Sequence, residues 1–400
     1  MSIQNFQEQY VDRYQDTFHK VLVSRMIANY RLESNLTQGD KVHRFALDMS
    51  AVQVRTITPL VDRTVDPITN SDESLEITEY KGTTFPVSRW EKTLQKNPDL
   101  GLLYGREAGI LVAEYVDATI LNQVLQATLD FDEGDLTTTT STGTPITLSL
   151  TNVPQMITQA KAKLGNARIR GGNMAWVLDD YALSMVTQHV IGRDTSLADS
   201  FYQNGRSGNI LGDDVMLSDN LTGESVLTLG TQVVAAETIT VGGVVWTARA
   251  VPAVAGEFDI GADVDASRVI IQNAINGSAT GAESATGYFD VSAADRATLN
   301  ALRITATDAP AANTLTLVGI GAGRAMNPSM TWASGVVTSH FVHSYYGKKG
   351  AIDAVIAAEI DMLMRKEPKQ DTMNIFNDVI FGVKTFADGA KKMLDVHIAA

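Results

Sequence analysis

The 400-residue sequence predicts an α+β fold, on three observations. Apolar and polar residues alternate with period two at 52–55 and again at 75–78, as strands with one wet face require. Apolar residues recur at helical spacing within about 97–128, which marks one long helix. A block at 222–337 is dominated by Ala, Thr, Val and Gly and reads as short strands around one helix.

Composition sets the outer bounds. The chain is 44% hydrophobic and 20% charged, an ordinary globular balance with enough length for two or three domains. No run of about eighteen consecutive apolar residues occurs, which argues against a membrane-spanning helix. The polar N-terminus, MSIQNFQEQYVDRYQ, does not read as a secretory signal. With no cysteine there are neither disulfides nor thiolate metal ligands. A net charge of −14 disfavours tight nucleic-acid binding, which needs clustered Lys and Arg. Lysine is absent from 164 to 347, a gap wider than the 222–337 block. The block's edges therefore rest on its composition, not on the lysine gap.

The elements follow in order. Residues 1–40 read as an amphipathic helical arm, with Val21, Leu22, Met26 and Tyr30 at helical spacing. Val52 and Val54 alternate with Gln53 and Arg55, and Leu75 and Ile77 with Glu76 and Thr78. The polar tip VDRTVDPITNSDES lies between, so the segment reads as an extended hairpin. Asn97-Pro98-Asp99 opens the long helix, whose apolar stripe is Ile110, Ala113, Val116, Ile120 and Val124. Gly101, Gly105 and Gly109 recur on one face. Each costs about 1 kcal/mol against alanine inside a helix. They mark either a loop-like first turn, a close helix contact, or a point where the helix bends.

A Thr/Ser/Gly loop or hairpin follows at 131–150, then a helix at about 153–165. A buried strand runs from 174 to 178, with Asp179 capping the next helix. NGRSGNILGDDVMLSDNL (204–221) reads as a loop, a glycine turn and a strand at 215–218. Inside the block, strands at 238–241 and 244–248 flank Gly242-Gly243, a two-residue hairpin signal. Asp265 caps a helix stopped by Asn276-Gly277, and strands are expected at 301–307 and 314–319. Beyond it, 351–364 reads as strand or helix, with a strand and polar turn favoured, and 378–385 and 391–398 as a hairpin joined by ADGA.

The order of these parts resembles the tailed-bacteriophage major capsid proteins of the Hong Kong 97 fold. Arm, long hairpin and spine helix are similar to that family's arm, extended loop and peripheral-domain helix. NGRSGNILGDDVMLSDNL resembles its glycine-rich loop and strand near the axial domain. NDVIFGVKTFADGAKKMLDVHI (377–398) resembles its terminal strand pair. The resemblance covers about 280 residues and rests on the order of all three. It implies an arm at 1–40, an extended loop at 41–96, and spine, peripheral domain and start of the axial domain at 97–221. Return strands occupy 338–400, and 222–337 departs from the pattern as an inserted β-rich domain. Its TITVGG-VVWTA hairpin and following helix resemble modules of phage virion proteins.

The function so implied is a coat protein that self-assembles, through pentamers and hexamers, into an icosahedral shell around double-stranded DNA. The shell would assemble in the bacterial host cytoplasm and persist in the virion. Only about 40 residues precede the hairpin, so the resemblance implies a separate scaffolding protein, alongside a portal protein and DNA bound without sequence preference. No membrane partner is implied. The hairpin is too long and too polar at its tip to pack wholly on its own subunit. Val52, Val54, Leu75 and Ile77 are expected to be half buried on a neighbour, with Arg55, Arg63, Glu76 and Arg89 in a polar rim. The glycines at 101, 105 and 109 would let the spine bend. An encapsulin-like compartment shell and a tail or adhesion protein are the alternatives.

An enzyme is not expected. No HExxH, G-x-S-x-G or P-loop occurs. GIGAGR (319–324) lacks the helix a dinucleotide loop needs. His340-x-x-His343 is the only close histidine pair and has no third ligand at ligand spacing. The pairs Asp132/Glu133, Asp179/Asp180 and Asp213/Asp214 read as solvated turns and caps. No catalytic, cofactor or metal site is assigned.

Overall fold

The computed structural model describes residues 22–32, 41–48, 52, 54–57, 65–66, 69–88, 100–137, 143–169, 172–191, 209–277, 287–332, 335–359, 363–366 and 372–400. They fall into two compact units, one within 27–112 and 350–390, the other within 22–26, 113–349 and 391–400. The arm expected at 1–40 lies mostly outside the described residues. Within 22–32 the only α-helix is a single turn, Ser24–Ile27.

In the first unit, β1 (Lys41–Asp48) and β2 (Thr69–Glu76) pair antiparallel, from Lys41 opposite Glu76 to Asp48 opposite Thr69. This corrects the expected hairpin. Val52 and residues 54–57 lie outside any strand, while TNSDES (69–74), read as tip, is strand. Two exposed polar side-chain pairs bridge the strands. Lys41 Nζ lies 2.5 Å from Glu76 and His43 Nδ1 lies 3.0 Å from Asp72.

Four further strands of this unit form its second sheet: β3 (Glu79–Ser88), β16 (Asp353–Glu359), β17 (Leu363–Lys366) and β18 (Thr372–Lys384). β3 runs along one edge of β18; β17 and β16 follow one another along the other. The expected hairpin of 378–385 with 391–398 does not form. β18 is paired on both edges, and so is β19 (Met393–Ala399), in a different sheet of the second unit. With both edges taken, the two strands have no edge for each other, and ADGA is a helical turn, Ala387–Ala390.

The base of the β1–β2 pair is clamped onto this sheet. Leu75 is fully buried against Val355 and Phe386. Arg44 donates to Asp388 at 2.7 Å, lies 3.5 Å from the buried Asp353, and stacks over the Phe386 ring at 5.0 Å. Lys384 Nζ donates to the Ser74 carbonyl at 2.7 Å. Gly382 of β18 sits where a Cβ would overlap the Glu76 carbonyl.

Helix α1 (Leu100–Leu121) runs unbroken from its first turn, so the loop reading of that turn is set aside. It passes into a 3₁₀ turn, Asn122–Gln126, that stops short of the expected 128. Ala113, Val116, Ile120 and Val124 are buried, as the stripe requires. By length and composition alone, Leu103–Gln126 is apolar enough to cross a membrane. It is, however, more than half buried inside the protein, as a core helix is.

The second unit is built on a nine-stranded sheet. Its members are β4 (Leu129–Phe131), β5 (Met174–Leu178), β6 (Asn209–Ile210), β7 (Asp213–Leu217), β8 (Thr222–Leu229), β12 (Ile304–Ala309), β13 (Thr314–Gly319), β15 (Gly335–Lys348) and β19. Helices α2 (Val153–Asn166) and α3 (Asp180–Ile191) belong to the same unit. Met156, Leu164 and Val186 from these helices join Trp176, Tyr346, Leu394 and Ile398 from the sheet in one core. Trp176 and Tyr346 stack with ring centroids 4.1 Å apart. Asp179 caps α3 as expected, accepting from Ala182 N at 3.1 Å.

Within the 222–337 block a second core forms around Trp246, Phe258, Ile271, Leu315 and Met326. It involves a four-stranded sheet of β9 (Thr238–Val241), β10 (Val244–Arg249), β11 (Glu257–Asp259) and β14 (Ser329–Met330). Gly242 and Gly243 both have positive φ, 59° and 79°, as their tight turn demands. Two helices are present where one was expected, α4 (Val264–Asn276) and α5 (Ala293–Ala301). The N-cap of α4 is Asp263, not Asp265. Asp265 instead pairs with the buried Arg268 at 2.7 Å.

Asp117 of α1 is buried. It accepts from the Ser24 backbone N–H at 2.7 Å and from Ser218 Oγ at 3.3 Å. Burial penalises its charge more than these bonds favour it, so its pKa is raised.

Two predictions follow from this packing. Gly382→Ala should destabilise the first unit by about 1–3 kcal/mol, because β2 must shift away from β18. Chemical denaturation that finds it neutral would refute the close approach. Asp117→Asn keeps an acceptor for Ser24 and removes the charge. Its melting temperature should match the parent at low pH, where the carboxyl is protonated, and exceed it as pH rises through the raised pKa. A difference that does not vary with pH would contradict the assignment.

Candidate assembly surface

Between β1 and β2 the described residues present apolar side chains to solvent. Val54 and Val65 are 106% and 88% exposed and Ile57 is 62% exposed, with Val52 at the margin at 39%. Arg55 pairs with Asp66 at 2.8 Å. Val54, Ile57 and Val65 are thus exposed apolar side chains among the described residues of this segment.

The other sequence-assigned residues divide. Leu75 is the clear correction. It is sealed inside its own unit by Val355 and Phe386 and has no surface left for a neighbour. Glu76 is exposed but engaged with Lys41, and Ile77 is partly buried. Arg63 and Arg89 lie outside the described residues. Gly101 is in the first turn of α1, and Gly105 and Gly109 are buried along it, beside Ala108 and Val112.

The acidic pairs have structural roles. Asp132 accepts from the backbone N–H of Gly134 and Gly143. Asp179 caps α3 and pairs with Arg324. Asp213 takes Lys161 at 3.1 Å and the Tyr346 hydroxyl at 3.0 Å, and Asp214 takes Lys349.

A polar cluster that sequence reasoning missed lies where β8, β15 and β19 meet. His340 and His343 are three apart on β15 and so point to opposite faces. The partner of His343 is His397, directly opposite on β19. Asp395 Oδ2 lies 2.8 Å from His343 Nδ1 and 3.3 Å from His397 Nε2. Glu224 Oε2 is 3.3 Å from His343 Nε2. Burial opposes a charge on His343, but the Asp395 and Glu224 carboxylates beside its ring outweigh it and lift its pKa to about 9. Burial likewise opposes ionisation of Asp395, yet the two imidazoles hold its carboxyl below the usual range. The one sequence signal was Asp395-x-His397, two like-facing positions on a strand. It stayed unread because its partner lies about fifty residues away.

No protein-family model and no curated protein matches the chain. Solved structures do. One from Mycobacterium phage Che8 aligns over 94% of this chain and 90% of its own, at 11% identity and a TM-score of 0.52. The capsid structure of cyanophage P-SCSP1u aligns over 91% and 85%, at 9% identity and a TM-score of 0.49. The crystal structure of a virus-like particle from Pyrococcus furiosus aligns over 97% and 98%, at 8% identity and a TM-score of 0.43. At such identities the likeness is one of fold, and the chain shares the α+β fold of the Mycobacterium phage Che8 structure.

Proposed function

We propose that this chain is the major capsid protein of a tailed phage, assembling through pentamers and hexamers into an icosahedral shell around double-stranded DNA. The observation that carries the reading is the segment between β1 and β2. Its base is fixed by Leu75 and Arg44, while Val54, Ile57 and Val65 beyond it are bare. A rigid root with an apolar, uncovered extension is suited to lying over another copy of the chain. Repeated around five-fold and six-fold positions, such a heterologous contact closes a shell. Fold likeness along nearly the whole chain to a phage structure supports the same reading.

In this proposal Val52, Val54, Ile57 and Val65 supply the apolar contact, with Arg55, paired to Asp66, in its polar rim; Glu76, Arg63 and Arg89 are proposed as further polar contacts. The row Gly101, Gly105 and Gly109 lets the spine adjust as the shell changes size. The net charge of −14 suits a container that holds DNA without gripping it. A scaffolding protein and a portal protein are the assembly partners, assembly takes place in the host cytoplasm, and the virion is the destination. Residues 222–337 form an inserted domain with its own hydrophobic core.

Electron microscopy of the expressed chain with its scaffolding partner should show icosahedral shells; tubes, fibres or persistent monomers would refute the proposal. The double substitution Val54→Asp and Ile57→Asp should abolish shells while leaving the melting temperature within about 1 °C, as for exposed positions. A fall in stability would instead place these residues inside the subunit. Joining 221 to 338 should leave a cooperatively folding chain, since residues 341–348 keep β5 and β19 as partners. Loss of all native structure would make the block part of the core.

A further inference from the structure

The cluster at the junction of β8, β15 and β19 has the arrangement of a metal site. Asp395 and His397 are two apart on one strand and so share a face, and His343 stands opposite His397 on the neighbouring strand. This puts three ligand-type side chains on one face of the sheet. One atom from each of them lies within 4.8 Å of the other two. Asp395 Oδ2 is 2.8 Å from His343 Nδ1 and 3.3 Å from His397 Nε2. Ligand atoms around a tetrahedral zinc are about 3.3 Å apart, from metal–ligand distances near 2.0–2.1 Å.

Two further observations point inward to a ligand. Asp395, only 4% exposed, has one carboxylate oxygen, Oδ1, with no hydrogen-bond partner among the described residues. An acceptor buried without a donor is costly, and a cation would satisfy it. Glu224 Oε2 stands 3.3 Å from His343 Nε2, close enough to orient the ring with Nδ1 toward Asp395. Phe341 borders both rings, with centroids 4.9 and 4.8 Å from His343 and His397, and walls the site with apolar surface.

We propose that His343 Nδ1, His397 Nε2 and the Asp395 carboxylate bind a divalent transition cation of the zinc and cobalt class, with Glu224 orienting His343. Two imidazoles and one carboxylate suit that class and do not suit calcium or magnesium, which take oxygen ligands. The cation replaces the protons that otherwise link these side chains. Its role is to staple β15 to β19, because each strand supplies a ligand.

The test uses the full chain, stripped with chelator and titrated with cobalt(II) at neutral pH. About one cobalt per chain should bind, with the visible absorption of a low-coordinate histidine–carboxylate site, and the melting temperature should rise by about 3 °C or more. Zinc should displace the cobalt signal. His397→Gln, at the least buried ligand, should fold without cobalt and lose both the absorption and the thermal shift. His340→Gln, on the opposite face of β15, should keep both. Absence of cobalt binding by the parent chain, or its survival in His397→Gln, would overturn the proposal. Neither result depends on shell formation, so failure here and failure of the capsid reading are separable.

Discussion

One strand, β15, constrains the second unit. Along one edge it meets β8 from Gly335 to His343 and then β5 from Tyr345 to Lys348; along the other it meets β19 from Phe341 to Gly347. It therefore borders both hydrophobic cores, through Val337 at one and Tyr346 at the other. These residues are nine apart, an odd number, and in an uninterrupted strand they would face opposite ways. The register shift between Val337 and Ser339 adds one residue to β15 and restores them to the same face. A single irregularity thus lets one strand serve two cores. A one-residue slip without it would turn Tyr346 away from Trp176 and draw His343 into the apolar side.

The opposite face of β15 follows from the same register. Phe341, His343 and Tyr345 alternate with the core-facing residues and meet Glu224, Asp395 and His397 from the neighbouring strands. Polar groups gathered there are buried, so each needs a partner in the cluster itself. This is why the ionisable side chains of three strands converge where no local sequence feature announces a site.

Elements whose character is decided locally were legible in the sequence. The strand 174–178, the Asp179 cap, the Gly242-Gly243 turn and the stripe Ala113, Val116, Ile120 and Val124 all follow from neighbours a few residues apart. What failed depended on distant partners. TNSDES became strand because residues 43–48 pair along it, from His43 opposite Ser74 to Asp48 opposite Thr69, and Leu75 left the expected contact surface because Val355 and Phe386 close over it. β18 and β19 look like a hairpin across ADGA, yet each is occupied on both edges by strands far away in sequence. His397 could not be matched to His343 without the register of β19. Burial of Leu75 within its own unit likewise needed the fold.

Residues 222–337 begin and end on one antiparallel strand pair. Thr222 stands opposite His343 and Leu227 opposite Val337, so the chain leaves and re-enters along one antiparallel pair. Ends held side by side make the length between them thermodynamically cheap, since loop closure depends only weakly on length. The root is nonetheless stiff. Arg303 donates to Thr119 Oγ1 at 3.0 Å and stacks over Tyr115 at 4.2 Å, and Arg324 pairs with Asp179 and stacks over Tyr181 at 4.3 Å. Both arginines reach from the block to elements that precede it. A block tied by β8 alone would be free to swing; these added contacts fix its direction. In a shell of identical copies that fixed direction would place the same surface of every block at the same kind of position.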